Sequence, residues 1–369
     1  MQENVSSIGL NIEISIFNCF KENNQLITLY NYLDNIKKVL LKKFPLENIE
    51  TINNMIELYA YKRSYETYTF EHFNDKEKVE FLSTIPQPEQ RSEEWYLFRE
   101  NHITASDAYK IFGTQSKKNE IIYSKCNKKK KDISENVIQE NPMTWGVKYE
   151  PLTSLIYELK NNTKISEYGC IPHPTYLFLA ASPDGIVTGN YNYGRMIEIK
   201  NVFSRIINGI PKTEYYIKMQ LQLEVCDLEE CDFVETKFVE YENESSYFKD
   251  KETEYKGVIV TFIKDNQLLY KYMPLDCIDY EKWIDEVIEE TTKDPTTIWC
   301  KNCYWKLDVY SCVLVKRNKK WFKHSIQEIE DIWNTILKEK EDGTYVLRKS
   351  NTHKRKQETE KTQCNVKIF

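Results

Sequence analysis

The chain has 369 residues and a mass of 44.1 kDa, which corresponds to one large domain or two and excludes a small disulfide-stabilised domain. Its 41% hydrophobic content and mean hydropathy of -0.62 exclude a disordered chain and a membrane protein. A net charge of -6 gives no whole-chain indication of nucleic-acid binding, but eight lysines between Lys110 and Lys131 predict a local basic surface. The first residues lack the pattern of a secretory signal, so we expect an intracellular protein with free cysteines.

Periodicity and proline content divide the chain into four predicted regions. The early residues show apolar side chains at helical spacing, and the two prolines between Ser83 and Glu94 mark a boundary. The predicted regions are a helical N-terminal extension at 1–85, an α/β core at 86–274, a helical C-terminal addition at 275–345 and a disordered polar tail at 346–369.

Within the predicted core, helical segments alternate with strands. A long helix begins near Pro142, and short apolar, β-rich runs follow between residues 165 and 202. Another helix begins at Thr213, and a strand follows it. Further on, Asp265 and Asn266 have the turn chemistry of a β-hairpin.

The most specific chemical pattern is the turn Ser182-Pro183-Asp184-Gly185, followed by Ile197-Glu198-Ile199-Lys200 on a predicted strand. Side chains alternate along a strand, so Glu198 and Lys200 share one face. A divalent cation bridged by Asp184 and Glu198 would give a buried glutamate a partner, while Lys200 would hold a water. Oxygen ligands for Mg²⁺, a metal-generated nucleophile and a nearby cation are the requirements of phosphodiester hydrolysis. Alternatively, Asp184 is only a turn residue, and Glu198 and Lys200 form a solvated pair.

These residues also carry a family resemblance. Pro183-Asp184 with Glu198-x-Lys200 is similar to the signature of the PD-(D/E)XK nuclease superfamily. Further segments resemble, in order, the motifs of the YqaJ-like viral recombinase family of lambda-type exonucleases: Gln90 to Asp107, Trp145-Gly146-x3-Glu150, and Tyr215-Tyr216-x3-Gln220-Leu221-Gln222. The resemblance implies a restriction-endonuclease-like α/β fold, with a central mixed β-sheet flanked by helices.

Carried over by position, the resemblance implies a metal site. Asp184, Glu198 and the backbone carbonyl of Ile199 would bind Mg²⁺, for which Mn²⁺ can substitute. The resemblance implies two ions, the second of them supported by Glu150. In the open alternative, Glu150 is an ordinary acid on a helix surface.

The resemblance also implies roles for four further kinds of side chain. Lys200 would activate the attacking water, and Gln220 would position Lys200 or that water. Arg99 and Ser106 would bind a 5′-terminal phosphate, for which a guanidinium group and a helix start are suited. In the open alternatives, Arg99 packs beside Trp95 and Ser106 is only a helix cap.

Two other patterns have both a functional and a structural interpretation. The lysines Lys128, Lys129, Lys130 and Lys131 either contact the DNA backbone or form a solvated loop. Cys300, Cys303 and Cys312 would need a fourth ligand, such as His324 for zinc or Cys126 for an iron–sulfur cluster. Packed free thiols are the default interpretation.

The activity implied by the resemblance is Mg²⁺-dependent exonucleolytic hydrolysis of linear double-stranded DNA. The implied direction is 5′ to 3′, leaving 3′ single-stranded overhangs for viral recombination or repair. The implied partners are DNA ends, a single-strand-annealing protein and other copies of the chain. A structure-specific or endonucleolytic nuclease on the same core, and a non-catalytic DNA-binding recombination module, remain open.

Overall fold

The computed structural model describes residues 75–88, 92–127, 141–189 and 192–349. The lysine run at 128–131, residues 1–74 of the predicted extension and residues 350–369 of the predicted tail lie outside the described residues. In the described part of the chain, no helix is long and apolar enough to cross a membrane.

Helices and strands alternate through the described chain. The helices are α1 Asp75–Thr84, α2 Glu93–Glu100, α3 Ala105–Ala108, α4 Gln115–Cys126, α5 Pro142–Asn161, α6 Thr213–Cys226, α7 Glu244–Lys249, α8 Tyr280–Thr291 and α9 Lys319–Asp342. The strands are β1 Ile103–Thr104, β2 Ile165–Ser166, β3 Ile171–Pro172, β4 Leu179–Ala181, β5 Gly185–Val187, β6 Met196–Asn201, β7 Glu230–Glu240, β8 Lys256–Lys264, β9 Gln267–Tyr272 and β10 Thr297–Lys316.

The strands form a central sheet and a small one. The central sheet has seven strands in the order β2-β5-β6-β7-β10-β8-β9, with β6 and β7 parallel and the other neighbours antiparallel. The small sheet has the order β1-β4-β3, with β1 and β4 parallel. This mixed sheet flanked by helices confirms the predicted fold class.

Helices α5 and α6 cover opposite faces of the central sheet at β6. Helix α5 begins at a capping box formed by Asn141 and Thr144, and its Tyr157 packs with Ile197. On the other face, Leu221 of α6 belongs to the same apolar cluster as Met196. Because side chains alternate along β6, Glu198 lies on the face that α6 covers.

The C-terminal region needs a correction. Helices α8 and α9 occur where helices were predicted, but residues 297–316 between them form β10, which pairs with both β7 and β8. The β10 pairing shifts register between Trp299 and Lys301 and again between Leu307 and Val309. Each shift reverses the inside–outside alternation, and this hides a strand from a search for period-two hydrophobicity. The region is therefore part of the sheet and not a purely helical addition.

The last helix of the predicted N-terminal extension also belongs to the core. Val79 and Leu82 of α1 are buried in the apolar cluster that contains α6. Lys78 donates a hydrogen bond to the carbonyl of Asp227 at the end of α6. The described residues before position 86 are therefore packed against the core instead of preceding it as a separate unit.

Candidate active site

Asp184 and Glu198 come together where β5 and β6 pair. These strands are antiparallel neighbours with Gly185 opposite Ile197, so the register continues with Asp184, the residue before β5, opposite Glu198 of β6. Asp184 Oδ2 accepts a hydrogen bond of 2.8 Å from the Ile199 N–H. Glu198, adjacent in the strand, is fully buried. The turn carboxylate and the strand carboxylate are thus held side by side, as the motif predicts.

Lys200 lies on the same face of β6 as Glu198, in agreement with the alternation of strand side chains. Its ammonium group contacts Glu198 Oε1 and donates a hydrogen bond of 2.8 Å to the Ile199 carbonyl. It lies 3.9 Å from Asp184 Oδ2. One ammonium group therefore reaches oxygen atoms from three of the four predicted metal ligands, Asp184, Glu198 and Ile199.

A second lysine, Lys218 of α6, joins this cluster and was not predicted from the sequence. Its Nζ lies 2.6 Å from the Glu198 carboxylate and 3.4 Å from Asp184 Oδ1. Lys218 stands four residues before Gln222, so the two side chains share one face of the helix. That spacing within the last motif is the signal that could have identified Lys218.

Gln222, and not the predicted Gln220, is the glutamine that reaches the cluster. Gln222 Nε2 donates a hydrogen bond of 3.0 Å to Glu198 Oε2. Gln220 instead donates 2.9 Å to the carbonyl of Lys316 and accepts 2.6 Å from the N–H of Asn318. Residues two apart on an α-helix are separated by about 200° around its axis, so one of the two glutamines faces away from β6.

The charged groups of the cluster shift one another's pKa values. Burial alone would raise the pKa of Glu198, but the ammonium groups of Lys200 and Lys218 outweigh it and hold that pKa at about 2. Burial, followed by the negative charge of Glu198, raises the pKa of Asp184. Burial would lower the pKa of Lys200, but the two carboxylates raise it instead. Glu198 is therefore ionised and Lys200 protonated at neutral pH.

The cluster has the donors for a hard divalent cation. The carboxylates of Asp184 and Glu198 and the Ile199 carbonyl are oxygen ligands of the kind that Mg²⁺ prefers. Beside them, Gln222 Oε1 is buried and has no hydrogen-bond partner among the described residues. Across the described ranges, no three His, Cys, Asp or Glu side chains gather closely enough to hold a metal ion. The oxygen donors of Asp184, Glu198 and Ile199 nevertheless fit a divalent cation between the two carboxylates.

Glu150 lies on α5, on the opposite face of the sheet from α6. One turn earlier in α5, the carbonyl of Gly146 accepts a hydrogen bond of 2.9 Å from Asn201 at the end of β6. Burial, then the charges of Tyr270 and Glu150, raises the pKa of Tyr272. Tyr272 of β9 donates a hydrogen bond of 2.8 Å to the carbonyl of Lys148, two residues before Glu150, so this part of α5 lies beside β9. The second-ion role of Glu150 remains a prediction.

Ser106 and the turn that carries Asp184 leave the same edge of the small sheet. Strands β1 and β4 are parallel, with Thr104 opposite Ala180. Ser106 follows β1 by two residues, and Ser182 follows β4 directly, so both segments emerge side by side. Ser106 is exposed at this edge.

Arg99 stacks over the ring of Trp95 at 4.4 Å, which is the arrangement that the structural interpretation predicts. Its charge also acts on the neighbour of Ser106. Burial would raise the pKa of Asp107, but Lys125, Lys110 and Arg99 lower it. The Arg99 and Ser106 segments are therefore neighbours, and the packing on Trp95 leaves the phosphate-binding role a prediction.

The cysteines with a possible metal-ligand interpretation lie apart from one another. Cys303 packs in a cluster on α5 and its Sγ lies 3.7 Å from the Tyr149 hydroxyl, whereas Cys126 donates to the carbonyl of Ile336 in another cluster. Cys303 and Cys312 are nine residues apart on β10, a separation of about 30 Å at the strand rise. In the described structure all of these cysteines are free thiols.

Comparisons with known proteins agree with the family motifs. Residues 94–229 match the model of the YqaJ-like viral recombinase domain. This match confirms, over residues 94–229, the family predicted from the motifs. Asp184, Glu198, Lys200, Lys218 and Gln222 all lie inside the matched range.

The chain is also similar to individual proteins. It is 27% identical over 354 residues to an uncharacterized protein of Acanthamoeba polyphaga mimivirus; the match covers 83% of this chain but 64% of that relative. Among solved structures, it is similar to the alkaline exonuclease of Laribacter hongkongensis, with a TM-score of 0.41, 19% identity, and coverage of 69% of this chain and 96% of that one. The complex of that exonuclease with dAMP matches with a TM-score of 0.40, 21% identity, and coverage of 68% and 95%.

Gln220 of α6 forms hydrogen bonds with the backbone, and this structural role can be tested. Gln220 is buried, and its partners are the backbone groups of Lys316 and Asn318. We therefore expect Gln220→Leu to leave those buried backbone groups unpaired and to lower the free energy of unfolding by about 2 kcal/mol. Urea titration measures this change. Gln327→Leu, at an exposed position of α9, is the matched control and should change the free energy of unfolding by less than about 0.5 kcal/mol. Equal effects of the two substitutions would contradict the structural role of Gln220.

Proposed function

We propose that this protein is a Mg²⁺-dependent deoxyribonuclease that degrades linear double-stranded DNA from the 5′ end. The observation that supports this most directly is the cluster of Asp184, Lys200 and Gln222 around the fully buried Glu198, within the YqaJ-like domain. A fully buried carboxylate beside a second, half-buried one is costly to keep in a protein that only binds a polyanion. The cluster therefore favours chemistry over binding alone.

Each residue of the cluster has a role that follows from its contacts. A Mg²⁺ ion bound by Asp184, Glu198 and the Ile199 carbonyl would lower the pKa of a coordinated water and offset negative charge on the phosphate. Lys200 holds that water by its ammonium group and stabilises the negative charge that develops on the phosphate. Gln222 fixes the orientation of Glu198 through its 3.0 Å hydrogen bond.

The proposed preference for DNA ends rests on Arg99 and Ser106. Arg99 offers a guanidinium fork suited to a phosphate, and the exposed Ser106 offers a hydroxyl at the edge of the small sheet. Because the Ser106 segment emerges beside the Asp184 turn, a 5′-terminal phosphate bound there would place the first phosphodiester bonds near the cluster. The lysines at 128–131 would add contacts to the DNA backbone.

The family match and the viral relative support a proposal for the biological setting. Degradation of one strand from its 5′ end leaves a 3′ single-stranded overhang, which is the substrate of a single-strand-annealing protein. We therefore propose a role in viral recombination or repair, at the intracellular site of viral DNA replication. Assembly into a homo-oligomer is part of the same proposal.

The proposed activity is tested with linear duplex DNA labelled at its 3′ ends, in Mg²⁺, beside a covalently closed circle. We expect digestion of the linear duplex alone, with Mn²⁺ able to replace Mg²⁺. Glu198→Gln and Lys200→Ala should each reduce the rate at least about 100-fold, because each removes a group that acts on the developing charge. Lys282→Ala, at an exposed ion pair on α8, is the control and should cleave normally.

Two results of this digestion would contradict the proposed exonuclease activity. Cutting of the closed circle would favour the endonuclease. DNA binding without metal-dependent cleavage of either substrate would favour the non-catalytic binding module.

End recognition is tested by comparing 5′-phosphorylated and 5′-hydroxyl duplexes. We expect Arg99→Ala to raise KM for the phosphorylated duplex about 10- to 100-fold, the worth of a hydrogen bond to a charged group, and to leave the hydroxyl duplex unchanged. Ser106→Ala should act in the same direction. An equal loss on both duplexes would instead assign Arg99 to its packing on Trp95.

A further inference from the structure

Lys218 occupies a position that the proposed chemistry does not use. Its ammonium group contacts both carboxylates at once, 2.6 Å from Glu198 and 3.4 Å from Asp184 Oδ1. Only 15% of its side chain is exposed. A cation that bridges two carboxylates, one of them fully buried, occupies the kind of position that a metal ion takes in a nuclease site.

The backbone of α6 holds Lys218 in this position. The flanking residues Met219 and Leu221 are buried in the core cluster, which fixes the rotation of the helix about its axis. One turn later, Gln222 is bonded to Glu198 and to the carbonyl of Ser182, at 3.0 Å each. The direction of Lys218 toward the carboxylates is thus set by packing on both sides.

The two lysines approach the carboxylates from different elements. Lys200 comes from β6 and donates to the Ile199 carbonyl, whereas Lys218 comes from α6 and contacts Asp184 Oδ1. A cation that takes the Ile199 carbonyl as a ligand competes with Lys200 for that oxygen. Lys218 contacts Asp184 Oδ1 and not that carbonyl oxygen.

The charges limit how many metal ions this arrangement accepts. Two carboxylates face two ammonium groups, so their formal charges balance before any metal binds. Glu150, the acid that would support a second ion, lies on α5, which covers the opposite face of the sheet from Glu198 and from the helix that carries Lys218. A second divalent cation would meet uncompensated positive charge.

We propose that Lys218 takes the place of a second divalent cation, so that the site binds one metal ion and uses Lys218 as its other positive charge. This inference rests on the proposed nuclease function and assigns Lys218 as a positioning residue for the carboxylates and the phosphate. The proposal predicts that one substitution changes the metal affinity and the cleavage rate in opposite directions. Removal of the Lys218 charge strengthens metal binding and weakens cleavage.

The test counts bound Mn²⁺ in the full-length chain without DNA, by the electron paramagnetic resonance signal of free Mn²⁺. We expect the unsubstituted chain to bind one Mn²⁺, and Glu198→Gln to abolish that binding. Lys218→Gln should bind Mn²⁺ about tenfold more tightly or more, because a nearby positive charge has been removed. Its cleavage rate in saturating Mg²⁺ should fall. A merely structural role of Lys218 would not strengthen metal binding.

Two variants control this experiment. Lys218→Arg keeps the charge and should keep one Mn²⁺ of unchanged affinity. Lys212→Gln removes an exposed charge at the start of the same helix and should leave Mn²⁺ affinity unchanged.

Two outcomes would overturn the inference: two Mn²⁺ bound by the unsubstituted chain and lost in Glu198→Gln, or no gain in affinity for Lys218→Gln over Lys212→Gln. If the unsubstituted chain still digests linear DNA in either case, the proposed function stands and only the role of Lys218 fails. If it digests no DNA in any metal, the proposed function fails as well.

Discussion

The burial of an ionised glutamate between a central strand and a helix is the constraint on which this site depends. Glu198 is fully excluded from solvent, and an unpaired carboxylate in that position would be very unfavourable. The ammonium groups of Lys200, from the same strand, and Lys218, from the covering helix, compensate the negative charge of the buried Glu198, and Gln222 adds a neutral hydrogen bond. Removing one of these partners would leave charge uncompensated in the interior, so the cluster acts as a unit.

The fold brings these groups together through two strand pairings. The antiparallel pairing of β5 with β6 places the Asp184 turn opposite Glu198, and a hydrogen bond of 2.8 Å from the Ile199 N–H to the Asp184 carboxylate fixes it there. The parallel pairing of β1 with β4 brings the Ser106 segment to the same region. Helix α6 then closes the cluster from above the sheet. Backbone pairing thereby sets the positions of Ser106 and Asp184 relative to one another.

The sequence predicts the part of the site that is local in the chain. A turn carboxylate, and a glutamate and lysine two apart on a strand, follow from spacing and alternation alone, and Glu198 and Lys200 do share one face. The glutamine was misassigned because the segment Gln220-Leu221-Gln222 offers two candidates, and the helix rotation that selects Gln222 is set by tertiary packing of Met219 and Leu221. Lys218 was missed for the same reason, since a lysine on a helix is usually exposed.

The fold class was predictable and the extent of the central sheet was not. The hairpin at Asp265 and Asn266 forms as predicted, with both residues at positive φ (49° and 58°). Strand β10 was missed because its two register shifts break the alternation that identifies strands. Its pairing with β7 and β8 joins the C-terminal part of the described chain to the sheet that carries Glu198, a long-range contact that local sequence patterns do not encode.

The central claim is that a divalent cation binds between Asp184 and Glu198. The most direct measurement replaces Mg²⁺ with Fe²⁺ and maps the backbone cuts that hydroxyl radicals make beside the bound ion after addition of peroxide and ascorbate. We expect cuts next to residue 184 and residues 198–200 that Mg²⁺ suppresses by competition and that Glu198→Gln abolishes. Cuts at other positions, or cuts that Mg²⁺ does not suppress, would contradict the claim.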